Sequence, residues 1–176
     1  MKILAFGASY SRNSINKMFA AFVANQIQNG EVEVLDLNQF DLPLFTIDKE
    51  KEVGAPNAAR DFLAKLESAD LLVISMAEHN GSYTTAFKNL FDWTSRVKLK
   101  MFENKKVILL STAPGQRGGK GVLDAALIRF PIHGAQILMS FSLPKFAENF
   151  DEINGIVNEE LRQEFISKMN VLDLNA

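Results

Sequence analysis

Lys2-Ile3-Leu4-Ala5-Phe6-Gly7-Ala8-Ser9-Tyr10-Ser11-Arg12-Asn13-Ser14-Ile15-Asn16 runs from an apolar segment through a turn of small and hydroxyl residues. Lys17-Met18-Phe19-Ala20-Ala21-Phe22-Val23 follows, with apolar residues at helical spacing. The stretch therefore reads as strand, polar turn, helix. Its strand is almost wholly apolar, as expected where both faces of a parallel sheet are covered. Ser14 or Asn13 can cap the helix. The first N–H groups of a helix have no intrahelical partner, and the helix dipole favours negative charge there. A turn at this place, supplied with hydroxyls, an amide and the fork-shaped cation of Arg12, is suited to an anion such as a terminal phosphate.

The same alternation continues along the chain. The first helix extends to about Gln28 and stops at Asn29-Gly30, and Glu31 to Asp36 reads as a second strand. A long connection from Leu37 to Pro56 carries Leu42, Leu44, Phe45 and Ile47, which are expected to pack back on the body. Asn57 to Glu67 reads as a helix and Asp70 to Ser75 as a central strand. The loop Met76 to Ser82, a helix from Thr84 to Ser95 and a strand from Lys106 to Ser111 come next. A glycine-rich loop, Ala113 to Gly121, leads to a helix ending near Phe130, and Gln136 to Phe141 is the fifth strand. One amphipathic helix from Asp151 to Asn170 is expected to close the sheet. Strand and helix in this order predict one α/β domain over residues 1–176, a three-layer sandwich with helices on both faces of a parallel sheet. The stretch Gly7 to Arg12 lacks the G-x-G-x-x-G of the six-stranded dinucleotide fold. The five-stranded flavodoxin-like order, 2-1-3-4-5, is the expectation, with its ligand at the carboxyl ends of the first and third strands.

Composition narrows the chemistry. The chain of 176 residues has no cysteine, which excludes disulfides and thiolate chemistry, and its two histidines, His79 and His133, lie too far apart in sequence to suggest a metal site. A formal charge of −2 gives nucleic-acid binding no support. No apolar run approaches the ~20 residues of a membrane helix, and Met1-Lys2 leads straight into a strand, so the expected setting is cytoplasmic with no membrane partner.

Three loops fall on one edge of such a sheet: residues 7–16, 76–82 and 111–121. The second, Glu78-His79-Asn80-Gly81-Ser82, offers a flat polar ring, an amide and a glycine permitting close backbone approach. The third, beginning Ser111-Thr112-Ala113-Pro114-Gly115, offers small side chains and exposed N–H groups. A phosphate site beside two close-approach loops suits a flat ligand with a phosphate tail, and flavin mononucleotide (FMN) has that shape.

At these loops the chain resembles the NADPH-dependent FMN reductase family, which includes flavin, quinone, chromate and azo-dye reductases. The family motif G-S-x-R-x-x-S-x-N is met at Ser9, Ser14 and Asn16, with Ser11 where arginine is usual and Arg12 one place later. The motif P-E-Y-N-G-S-x-P-G-x-L-K-N-A-I-D-W is met at Glu78, Asn80, Gly81, Ser82, Lys88, Asn89, Asp92 and Trp93. Ala77 replaces its proline, His79 its tyrosine, and Thr84-Thr85 its Pro-Gly. The resemblance implies that Ser9, Ser14 and Asn16, with Ser11 or Arg12 and the adjoining Ile15, bind the FMN phosphate. It implies that Glu78, His79, Asn80, Gly81 and Ser82 border the isoalloxazine ring, with the loop at Ser111, Pro114 and Gly115 on its other side. It also implies hydride transfer from NADPH or NADH through FMN to a small acceptor, and assembly as a homodimer or homotetramer. No side chain is assigned as a nucleophile, because the flavin carries the chemistry. Lys88, Asn89, Asp92 and Trp93 are expected to serve helix packing and pairing. An electron carrier or a flavin-free binding protein on the same fold are the other readings, the former less suited to a chain that is only weakly acidic.

Overall fold

A computed structural model describes residues 1–172. Its sheet has five strands: β1 (Lys2–Gly7), β2 (Glu31–Val34), β3 (Leu71–Met76), β6 (Lys105–Thr112) and β7 (Ala135–Leu143). They lie in the order β2-β1-β3-β6-β7, and every pairing is parallel. This is the flavodoxin-like 2-1-3-4-5 arrangement expected from the alternation.

Successive side chains of a strand point to opposite faces, so β1 feeds two cores. Ile3 and Ala5 join Val73, Ile108 and Leu110 under α1 (Ile15–Asn25) and α7 (Glu159–Asn170), through Phe19, Val23 and Phe165. Leu4 and Phe6 join Leu72, Ile74 and Leu109 on the other face, beneath α3 (Asn57–Ser68), α4 (Thr85–Val97) and α5 (Lys120–Ile132). Phe62, Phe87 and Phe130 belong to this second core, and Phe6 meets Phe62 edge to face at 5.7 Å.

The chain departs from the sequence reading in three places. The connection after β2 is not a plain loop: a 3-10 turn, Leu37–Gln39, and a short helix, α2 (Ile47–Val53), form within it. Leu42 packs against the core and Phe45 stands edge-on to Trp93 at 5.0 Å, but Leu44 and Ile47 are 68% and 66% exposed. The loop after β3 is a small hairpin of β4 (Glu78–His79) and β5 (Ser82–Tyr83). The expected last helix is three elements: α6 (Phe146–Asn149), a hairpin of β8 (Phe150–Asp151) and β9 (Gly155–Ile156), and then α7. The Asp151 carboxylate accepts from the N–H groups of Ile153 and Asn154 at 3.0 and 2.7 Å, folding a tight turn. Gly155 follows at φ 73°, a left-handed conformation that ends any helix there. Ile153, assigned to the apolar face of that helix, is 91% exposed at the hairpin tip.

Candidate functional site

The carboxyl ends of β1, β3 and β6 are adjacent, and a cleft of about 330 Å³ opens above them. Gly7 ends β1 because nothing larger fits: a Cβ there would stand 2.4 Å from the backbone nitrogen of Lys17, so α1 returns over the strand only at glycine. Ser9, Ser11, Asn13, Ser14, Ile15 and Asn16 form one wall of the cleft, and Ala77, Glu78, His79, Thr112, Ala113 and Pro114 form the other.

The wall built by α1 is a set of donors. Ser14 is the N-cap, its Oγ accepting from the Lys17 N–H at 3.2 Å. Ser9 Oγ accepts from the Ser11 N–H at 3.1 Å and so shapes the turn. Among the described residues, the backbone N–H groups from Arg12 to Asn16 donate to no backbone acceptor. Free N–H groups at a helix N-terminus beside serine hydroxyls are a donor set that fits a phosphate. The Lys17 ammonium meets Asp36 at 3.1 Å. Two hydrogen bonds from Asn38, with Lys17 beside them, hold the Asp36 carboxyl down to about 2.

Asn16 is buried and its amide is fully engaged. Oδ1 accepts from the Ser75 hydroxyl at 2.7 Å and the Thr112 N–H at 3.1 Å, and Nδ2 donates to the Thr112 carbonyl at 3.1 Å. It thereby ties α1 to the ends of β3 and β6. Its side-chain amide is thus engaged within the protein.

On the opposite wall, the β4–β5 hairpin turns through Asn80 and Gly81, both in the left-handed region at φ 51° and 77°. That is the geometry of a two-residue Asn-Gly turn. Glu78 pins the hairpin to α5, its Oε1 accepting from the Val122 N–H at 3.2 Å. A Cβ on Gly121 would lie 2.5 Å from that oxygen, so the contact depends on glycine at the start of α5. Thr84 caps α4 through the Phe87 N–H at 3.3 Å and donates to the Ala8 carbonyl at 3.0 Å, joining the hairpin to the first loop.

The structure thus brings Ser9, Ser11, Ser14, Ile15, Asn16, Glu78, His79 and Pro114 to one cleft, and places others outside its lining. Arg12 is exposed, and Asn80, Gly81 and Ser82 form the outer part of the hairpin. Ser111 is fully buried, donating to the Gly118 carbonyl at 2.8 Å. Gly115 is exposed, and its carbonyl accepts from the Gly118 and Lys145 N–H groups. Asn13, Ala77, Thr112 and Ala113 also line the cleft, although the motifs assign none of them to the cofactor. Their position after apolar strands was the available signal. The remaining motif residues pack and pair. Lys88 meets Asp92 at 2.8 Å. Asn89 and the buried Trp93 donate to the Pro43 carbonyl at 3.0 and 2.7 Å, holding the long connection against α4.

A parallel sheet in this order, with a cleft at the carboxyl ends of β1, β3 and β6, is the flavodoxin-like arrangement. Residues 1–148 match the family model described as NADPH-dependent FMN reductase, and the chain belongs to that family. An NAD(P)H:quinone oxidoreductase of Solanum tuberosum is 30% identical over 164 residues, covering 88% of this chain and 79% of that one. A quinone reductase of Escherichia coli is 28% identical over 120 residues, covering 68% of this chain but only 63% of its own length. Among solved structures, the flavoenzyme NAD(P)H:(acceptor) oxidoreductase FerB of Paracoccus denitrificans superimposes with a TM-score of 0.72 over 96% of this chain and 95% of that one. At 18% identity that likeness speaks to the fold. The family is one of NAD(P)H-dependent oxidoreductases with FMN as cofactor. No helix among the described residues is long and apolar enough to cross a membrane.

Proposed function

We propose that the cleft over β1, β3 and β6 holds FMN with its phosphate at the start of α1. The observation that carries this reading is the row of free backbone N–H groups from Arg12 to Asn16 beside Ser9, Ser11 and Ser14. The chemistry FMN supplies when bound is acceptance of a hydride at N5 from NADPH or NADH and its delivery to a small acceptor such as a flavin, quinone, azo compound or metal ion. The chain's part is to bind, orient and exclude water. Ser9, Ser11 and Ser14 with the adjoining N–H groups hold the phosphate, and Ile15 gives the cradle an apolar border. Glu78, His79 and Pro114 border the ring, with Asn80, Gly81 and Ser82 as the hairpin that presents them and Ser111 and Gly115 as the frame of the third loop. Arg12 adds positive charge at the rim. With the redox chemistry supplied by the cofactor, no side chain of this chain is required as a nucleophile. Assembly as a homodimer or homotetramer and a cytoplasmic setting complete the reading.

The purified protein is expected to show flavin absorbance, or to gain it and a higher Tm on addition of FMN, and to be bleached by NADPH or NADH without oxygen. Ser14→Asp keeps a good helix cap and adds a negative charge facing the phosphate, so it is expected to fold and to lose FMN. Absence of FMN binding, or unchanged retention in the Ser14→Asp variant, overturns the site. Flavin binding without reduction by either nicotinamide points to an electron carrier instead.

A further inference from the structure

Among the residues that line the cleft over β1, β3 and β6, Glu78 and His79 carry the acid and base side chains. Glu78 is committed: its Oε1 accepts from the Val122 N–H at 3.2 Å, which turns the carboxylate towards the start of α5. Successive residues of a strand point to opposite faces, so His79, next along β4, has its ring on the side away from α5. It is exposed, and its imidazole makes no hydrogen bond or ion pair among the described residues. The other titratable groups on the surrounding elements are Tyr83 of β5, whose hydroxyl is buried, Arg12 of the first loop and Arg117 of the third. On α5, Lys120 pairs with Asp124 and Arg129 acts on Tyr83, and on α4 Lys88 pairs with Asp92. Each carboxylate in this group already has a partner, so the imidazole keeps its ring nitrogens for whatever enters the cleft.

The acceptors named above differ in what they need from the protein. A quinone that takes up a hydride equivalent becomes a hydroquinone only when a proton is added as well. Ferricyanide takes the same two electrons singly, on two ions, and binds no proton. Histidine is the side chain whose ordinary ionisation falls in the physiological range, so it can give a proton and regain one at neutral pH. A tyrosine, which the family motif carries here, holds its proton until about pH 10. We infer that His79 is the proton donor to a quinone acceptor. The imidazolium N–H bond breaks with its electron pair left on nitrogen, an O–H bond forms on the quinone oxygen, and water reprotonates the exposed ring. The inference rests on the flavin reading, which supplies the hydride equivalent.

The test measures kcat/KM for duroquinone and for ferricyanide on the same FMN-loaded sample across pH. Their ratio is read, so that FMN occupancy divides out. Alongside it, proton NMR follows the imidazole C2–H of His79. The chain has two histidines, and the other, His133, is buried with its Nδ1 against the Leu99 carbonyl at 2.6 Å, so loss of one signal in His79→Gln assigns the other. The ratio is expected to be high at low pH and to fall as pH rises through the midpoint that NMR gives for His79. His79→Gln should lower the low-pH ratio roughly tenfold or more and leave it flat. His79→Tyr should recover part of it and move the fall towards pH ~10. Pentafluorophenolate, a stable mimic of the hydroquinone monoanion, should raise the NMR midpoint in the FMN-saturated protein by roughly one pH unit. An unchanged pH profile of the ratio in His79→Gln, or a midpoint that the phenolate does not move, overturns the inference. FMN binding, bleaching by a nicotinamide and ferricyanide reduction would then leave the flavin reading standing, whereas a protein that binds no FMN overturns both.

Discussion

Asn16 carries three buried hydrogen bonds, to the Ser75 hydroxyl and to both the N–H and the carbonyl of Thr112, and so joins the start of α1 to the ends of β3 and β6. Asn16→Ala would strand the Thr112 N–H without an acceptor in a buried place. An unsatisfied buried group costs about 1–3 kcal/mol, so with the other bonds lost a destabilisation of ~2–4 kcal/mol is expected by denaturant midpoint, together with weaker FMN binding. Full stability in this variant would show that water or a neighbour replaces the amide. That Asn16 is polar and near a helix start was legible in the sequence, but the direction of its amide was not. Its partners lie 59 and 96 residues away, and only the closed sheet brings them to it. The same limit explains Ser111 and Gly115: spacing located the loop after β6, while the inward turn of the Ser111 hydroxyl depends on Gly118 folding over it.

The β4–β5 hairpin is the element on which the cleft's second wall depends. It has only two residues in each strand, so its own ladder is weak and its anchors decide its position. One anchor is Glu78, holding the start of α5 through Val122; the other is Thr84, reaching Ala8. Glu78→Ala is expected to speed amide hydrogen exchange across residues 78–83 and to weaken FMN binding severalfold, while global stability changes by less than about 1 kcal/mol. Unaltered exchange would mean that Thr84 alone fixes the hairpin. The Asn80-Gly81 turn was visible in the sequence as a turn, but strands this short have no periodicity to read. The mistaken last helix has the opposite cause. Ile153, Ile156 and Val157 imitate a helical face, and the local chemistry of Asp151, Asn154 and Gly155 overrides it. Space also favours glycine there, for a Cβ on Gly155 would collide with the Phe22 ring.

At the scale of the molecule the strand order was legible because five apolar runs alternate with helical segments, and the covering of both sheet faces follows from that alternation. Which polar groups the second core would bury was not, and the two tyrosines of the chain show it. Both pack at the margin of the core beneath α3, α4 and α5. The Tyr10 hydroxyl donates to the Phe40 carbonyl at 3.0 Å, and burial, reinforced by the Asp41 charge, pushes its ionisation from 10.0 up to about 12. Burial does the same to Tyr83, likewise to about 12, with Arg129 opposing in part. Tyrosine is neutral when protonated, so a raised value means the folded chain holds the proton more tightly than the unfolded chain. The stabilisation is complete below pH 10, and it falls away as pH rises from 10 towards 12. Both rings are only half-buried, so solvent screening makes the loss smaller than ideal linkage gives. With no third tyrosine to mask the signal, tyrosinate absorbance should stay low through pH 10 in the folded protein and reach half its amplitude there once denaturant is added. Over the same window Tm should fall, and Tyr10→Phe should flatten part of that fall. Folded-state titration at the ordinary value would show that water reaches both phenols.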